Sequence, residues 1–297
     1  MSNPAQSATL RRTLLAHRLA AAAGWVVPVL LRATSGTAVF ASGPVVIRLA
    51  EPGRGPLTSS DQDTLARHLV GRGASVAQPV DFPAAWAGPL EAGGSLGGDE
   101  LGLWRRVDTD GVVTPARLAG ALSALHRVDP ATLPVALGGF GVTFDRLNDQ
   151  LAGLQHYPLL ATGARWLGRF LTAAARIVSE PSAPSVLLHG DVNRGNVLAG
   201  PDRIVLCDLE SVMTGPALWD LAAPASDRLL RRTPWCDPVA LLDAYGATSG
   251  RPWSTLVRLR ATDSVLFRIT EHAAGSPAGD AAPALLAALL AELSGGL

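Results

Sequence analysis

The segment LLHGDVNRGNVLAGPDRIVLCDLE, Leu187 to Glu210, constrains the chain most, because it sets three polar side chains among residues that otherwise read as core. Asp191, Asn196 and Asp208 are a carboxylate, an amide and a carboxylate, and Asp208 directly follows the apolar run Ile204-Val205-Leu206-Cys207. Burying a charge costs several kcal/mol unless something compensates it. The segment therefore reads as a strand, a loop and a second strand that share one polar site.

An amide carbonyl five residues after Asp191 and a carboxylate seventeen residues after it are hard oxygen donors. Such donors suit Mg²⁺, which keeps several waters and takes one or two protein carboxylates plus substrate phosphates. No His/Cys cluster at zinc spacing competes. The ion would supply the compensating charge. In phosphoryl transfer the protein contributes positioning, charge neutralisation and a carboxylate that accepts a hydroxyl proton.

The 297 residues suffice for one bilobal unit or two domains, and 48% apolar against 17% charged residues indicates a globular chain. Basic and acidic residues balance at 25 each, which argues against a nucleic-acid or membrane-surface partner. There is no lysine, so every Lys/Arg cation is arginine. Two cysteines without a CxxC partner fit a reducing cytoplasm. Arg11-Arg12 ahead of LAAAAGWVVPVLL resembles a signal sequence superficially. His17 and Arg18 interrupt the approach, and thirteen residues are too few to span a bilayer. The expectation is an N-terminal helix running into a strand.

Strand character marks the first third, in Val26 to Leu31 and Val45 to Leu49, separated by the turn-rich ATSGTAVFASGP. Thr58 to Asp61 offers N-cap chemistry for a helix through about Val70, and Leu101 to Val107 reads as the last strand of this part. Helices follow over TPARLAGALSALHRV and over 157–178, then about 217–230, 238–245, 254–272 and 281–293. A small β-rich part before a larger helical part suggests two lobes and a cleft.

HGDVNRGNVL followed by IVLCDLE resembles the catalytic loop and metal-binding strand of the aminoglycoside phosphotransferase and choline kinase group. GPALWDLA (Gly215 to Ala222), LARHLVGRGASVAQP and LSALH extend the resemblance through both parts in order. It implies an α+β, bilobal protein-kinase-like fold. Residues 1–107 would form a small β-rich N-lobe that binds nucleotide, and 108–297 a larger, mostly helical C-lobe. It also implies Asp191 as the group that orients or deprotonates the acceptor hydroxyl, and Asn196 and Asp208 as Mg²⁺ ligands. His189 and Asp220 would brace the loop. Glu210 is read either as a helper through water or a second ion, or as an exposed strand-end residue.

The pattern departs from that group in several places. Kinase-like folds place a lysine on the third strand, paired with a helix glutamate. Here VVIRLA offers Arg48, whose guanidinium matches phosphate geometry. The helix position holds Gln62, with Asp61 and Asp63 beside it, and the residues alone do not choose Arg48's partner. The loop Thr34 to Phe40 would cover the phosphates, with Ser35, Gly36 and Thr37 as donors. Arg194 would reach the transferring phosphoryl group or face solvent. The backbone of Leu103 to Arg106 would bind adenine.

The expected function is Mg²⁺-dependent transfer of the γ-phosphoryl group of ATP or GTP to a hydroxyl of an antibiotic, amino sugar or similar metabolite. Two alternatives stay open: a nucleotide-binding pseudokinase without turnover, and nucleotidyl transfer. From Ser211 onward eight acidic residues face seven arginines, a balance that does not announce a polycation site. Asp263 and Glu271, eight apart on roughly the same helical face, could bind an amine, but are read first as surface carboxylates on an amphipathic helix.

Overall fold

The computed structural model describes residues 4–34, 36–53, 56–86, 95–154, 161–178, 185–230, 233–273, 286–287 and 289–291. In chain order these form α1 (Pro4–Ala22), β1 (Val29–Ala33), β2 (Thr37–Ser42), β3 (Val45–Ala50), α2 (Ser59–Gly71), β4 (Ser95–Leu96) and β5 (Asp99–Arg105). There follow α3 (Pro115–His126), α4 (Gly141–Leu154), α5 (Ala161–Val178), β6 (Ser185–Leu188), β7 (Val197–Ala199), β8 (Ile204–Leu206) and β9 (Met213–Pro216). The chain ends with α6 (Leu218–Leu229), α7 (Pro238–Tyr245) and α8 (Arg251–Ala273), and 286–287 and 289–291 are helical. The fold is α+β. Among the described residues no helix is long and apolar enough to cross a membrane.

The chain divides into two compact units. Unit 1 comprises residues 1–112, 131–136 and 198–211, and unit 2 the remainder. The segment 198–211, which the sequence reading assigns to the helical part, groups with unit 1.

Unit 1 is built on an antiparallel sheet of order β1-β2-β3-β5-β4. The turn-rich ATSGTAVFASGP contains a full strand, β2, which the sequence reading missed. Its partners on both sides, and the burial of Ala38 and Phe40 against Ile47 and Leu49, override its turn-forming composition. The β2–β3 turn needs Gly43, at φ +57°. Helix α1 buries Arg12, Ala16, Leu19 and Ala20, one face of a 3.6-residue period. Arg12 is fully buried and reaches Asp99 at 2.9 Å and Glu51 at 3.2 Å, so this basic pair belongs to a packed helix. Helix α2 starts with a capping box, Thr58 accepting from Asp61 N and Asp61 accepting from Thr58 N. The β7–β8 pair joins the chain after α2 through Ala77 N to Leu206 O (2.7 Å) and Leu206 N to Ser75 O (2.8 Å).

Unit 2 is helical around β6 and β9, which pair antiparallel from Ser185↔Pro216 to Leu188↔Met213. Its core includes Leu147 and Leu151 of α4, Leu167 and Leu171 of α5, Trp219 of α6, and Leu259, Val265 and Ile269 of α8. The sequence reading assigned no element to α4. Glycines at 138, 139, 141 and 153 mask it, although Thr143, Leu147, Leu151 and Leu154 lie on one face at helical spacing. Residues 155–160, 274–285, 288 and 292–297, where parts of two expected helices fall, lie outside the described residues.

Candidate active site

In unit 2, β6 delivers the chain into the loop His189 to Asn196. Gly190 turns it at φ +82°, a left-handed conformation that suits glycine. Asp220, in the first turn of α6, accepts from His189 N at 2.7 Å and Gly190 N at 3.0 Å, and contacts His126 Nε2 at 3.1 Å. His126 Nδ1 in turn meets the Tyr245 hydroxyl at 2.7 Å. Trp219 Nε1 donates to Gly190 O at 2.8 Å. Burial pushes the Asp220 carboxyl up, but its hydrogen bond with His126 and the imidazoles of His126 and His189 outweigh this and hold it below the usual carboxylate range.

Asp191 is held on both oxygens. Arg260 Nη2 donates to Oδ1 at 2.5 Å, and Asn193 Nδ2 and Asn196 Nδ2 donate to Oδ2 at 2.9 and 3.0 Å. Burial pushes this carboxyl up as well. The Arg260 charge and hydrogen bond, with help from His189 and Asn193, more than offset it, so Asp191 stays ionised. Its side chain nevertheless remains 41% exposed and open to a reacting group. Asn193 Oδ1 accepts from Gly195 N at 2.8 Å and Asn196 N at 3.2 Å, closing the loop on itself.

In unit 1, Arg48 on central strand β3 donates through Nη2 to Glu210 Oε2 at 2.6 Å and lies 4.0 Å from Asp208 Oδ1. None of the three α2 candidates is its partner. Asp61 caps its own helix, Asp63 takes Arg67 at 2.9 Å, and Gln62 donates to Leu57 O at 3.2 Å. Asp208 has φ +67°, the one left-handed non-glycine among the described residues. Its Oδ1 is buried without a hydrogen-bond partner.

Several sequence expectations change. Ser35 lies outside the described residues; Gly36 and Thr37 are described. Thr37 opens β2, and its N–H is taken by Thr34 Oγ1 at 3.1 Å. In the expected adenine segment, Arg105 N and Arg106 N are taken by Gln78 O (2.7 Å) and Pro44 O (2.8 Å). Arg194 is exposed. Asp263 is not a surface carboxylate but is buried, taking Arg260 Nη1 and Arg146 Nη2 at 2.9 Å each; the Glu271 side chain lies outside the described residues. The sequence reading missed Arg260 altogether. The signal available was Arg260 and Asp263 three apart on a helix whose other face is apolar.

Asp191 and Asn196 come together in unit 2, and Arg48, Asp208 and Glu210 in unit 1. The donor chemistry fits Mg²⁺. Asp208 offers a buried carboxylate oxygen without a donor, and Asn196, with its NH₂ group on Asp191, offers its amide oxygen.

A family model described as "Phosphotransferase enzyme family" matches residues 20–261. Among solved structures, the chain is similar to choline kinase LicA from Streptococcus pneumoniae at TM-score 0.68 and 13% identity, covering 96% of this chain and 99% of that one. It is similar to aminoglycoside phosphotransferase APH(3'')-Id from Streptomyces rimosus, solved with ADP and streptomycin, at 0.55 and 20% identity, covering 85% and 98%. A GDP complex of aminoglycoside 2'-phosphotransferase-IIIa gives 0.67 and 13% identity, covering 96% and 99%. No curated protein matches the chain.

Proposed function

We propose that this chain, which belongs to the phosphotransferase enzyme family, transfers the γ-phosphoryl group of ATP or GTP to a small-molecule hydroxyl. Antibiotics and amino sugars are the acceptor class to test first. The observation that carries this reading is the hold on Asp191, a carboxylate kept ionised by Arg260 and still accessible.

A carboxylate held this low is a weak base. Asp191 therefore acts first by orienting the acceptor hydroxyl through a hydrogen bond, and it takes the proton late, once bonding to phosphorus has acidified the oxygen. That order suits the loose transition state of phosphoryl transfer. Asn196 and Asp208 are the proposed Mg²⁺ ligands. When bound, the ion neutralises charge on the nucleotide phosphates. Arg48, fixed by Glu210, presents a planar, permanently charged donor to those phosphates, the role a lysine fills in other kinase-like folds. Asp220 and Trp219 keep the loop carbonyl and amides in place, so that Asp191 needs no rearrangement at the moment of reaction.

The test is a Mg²⁺-dependent nucleotide-consumption screen over hydroxylated antibiotics, amino sugars and aminoalcohols, with product mass measured. Product heavier by one phosphoryl group, lost in Asp191→Ala with nucleotide binding kept, is the expected result. A nucleotidyl adduct, or binding without turnover on every acceptor, overturns it, the latter in favour of a nucleotide-binding module.

A further inference from the structure

We propose that Arg260 is a positioning residue of the transfer step, aiming the Asp191 carboxylate at the acceptor from helix α8. This rests on Asp191 being the group that meets the acceptor hydroxyl.

The argument is one of hydrogen-bond capacity. An ionised carboxylate offers about four lone-pair sites. On Asp191, Oδ2 already accepts from Asn193 and Asn196, and Oδ1 accepts from Arg260. Among the described residues one site is left, on Oδ1, for the hydroxyl to take. Arg260 therefore bonds to the same oxygen that serves the acceptor. Where its Nη2 sits fixes the direction in which the remaining lone pair points.

Arg260 is itself held by several groups. Nη1 donates to Asp263 at 2.9 Å, Nη2 also reaches Val192 O at 3.2 Å, and the guanidinium carbon lies 5.2 Å from the centroid of the Trp219 ring. The same Trp219 donates to Gly190 O, so one indole steadies both the loop and the arginine that aims its carboxylate. Asp263 is in turn held by Arg146 of α4. The chain Asp191–Arg260–Asp263–Arg146 thus ties the loop to two helices. For an arginine serving only to fill this position, Asp263 and the Val192 carbonyl already supply partners. The bond to Asp191 is a further contact, and it falls on the reacting group.

The experiment compares wild type with Arg260→Met, Arg260→Lys, Asp263→Asn and Asp191→Ala, using the acceptor found in the screen. Arg260→Met is expected to lower kcat about 100-fold while the nucleotide KM stays within about twofold, the signature of a misaimed group and not of lost binding. Arg260→Lys keeps the charge without the planar fork and is expected to recover about tenfold of that loss. Asp263→Asn, with Arg260 intact, is expected to lower kcat by a smaller factor. A crystal structure of Arg260→Met is expected to show the Asp191 carboxylate in a changed rotamer. An unchanged rotamer, or a near-normal kcat in Arg260→Met beside an inactive Asp191→Ala, overturns the role of Arg260 and leaves the Asp191 reading standing. An active Asp191→Ala overturns both. If Arg260→Met does not fold, Arg260→Lys decides: a wild-type kcat overturns the proposal and a reduced one with unchanged nucleotide KM supports it.

Discussion

Arg48 and Glu210, 162 positions apart in the chain, meet at 2.6 Å, and Asp208 stands 4.0 Å from the same guanidinium nitrogen. The cation on the central strand is thus neutralised by the residue that follows the proposed metal ligand by two positions, and not by α2. Both side chains are partly exposed, at 13% and 33%, so the pair contributes at most about 1 kcal/mol to stability. Its consequence is for binding. In Glu210→Ala, Arg48 is drawn toward Asp208 and competes with the cation there. The expected outcome is a Mg²⁺ requirement raised about tenfold in nucleotide-consumption assays, with an almost unchanged melting midpoint.

Chelation gives a second test. Turnover is expected to vanish in excess EDTA and return on adding Mg²⁺. Asp208→Asn is expected to raise the Mg²⁺ concentration needed by at least about tenfold, because the orphaned Oδ1 loses its charge. Isothermal titration of Mg²⁺ in the presence of ADP checks this independently of the acceptor.

Asp220 governs behaviour in acid. Its folded-state carboxyl lies below the ordinary value, so its contribution to stability is present above the unfolded pKa of about 3.9 and is lost as pH falls through the folded value. At pH 7, Asp220→Ala leaves the N–H groups of His189 and Gly190 without their acceptor, at about 1–3 kcal/mol for each. The stability gap to wild type, measured by urea unfolding, should narrow steadily below about pH 4.

Arg12 offers a test of unit 1 away from any site. It and Asp99 are both fully buried; removing one partner of such a pair costs about 3–5 kcal/mol, reduced here because Arg11 also reaches Asp99, at 2.7 Å. Arg12→Met should lower the thermal midpoint by roughly 10 °C. Asp191 and its partners in unit 2 are expected to keep their geometry, visible as unchanged NMR shifts for Asn193 and Asn196 side-chain amides.

What the residues themselves determined was local. Asp191, Asn196 and Asp208 stand out as polar residues at a fixed spacing around short apolar runs, and GPALWDLA points to Asp220 only through the family resemblance. The capping box of α2 and the Asp237-Pro238 start of α7 need only a few neighbouring residues. What tertiary structure decided was which charge meets which. Arg48 could have faced three α2 candidates and takes none of them. Asp263 reads as a surface carboxylate and is buried between two arginines. Helical spacing sets Arg260 beside Asp263, but Arg12 and Arg260 carry the same charge as the exposed Arg194, so the sequence does not say which acidic group each one meets. Only packing, which brings Arg260 to Asp191 across 69 positions and removes it from water, turns that charge into a specific partner.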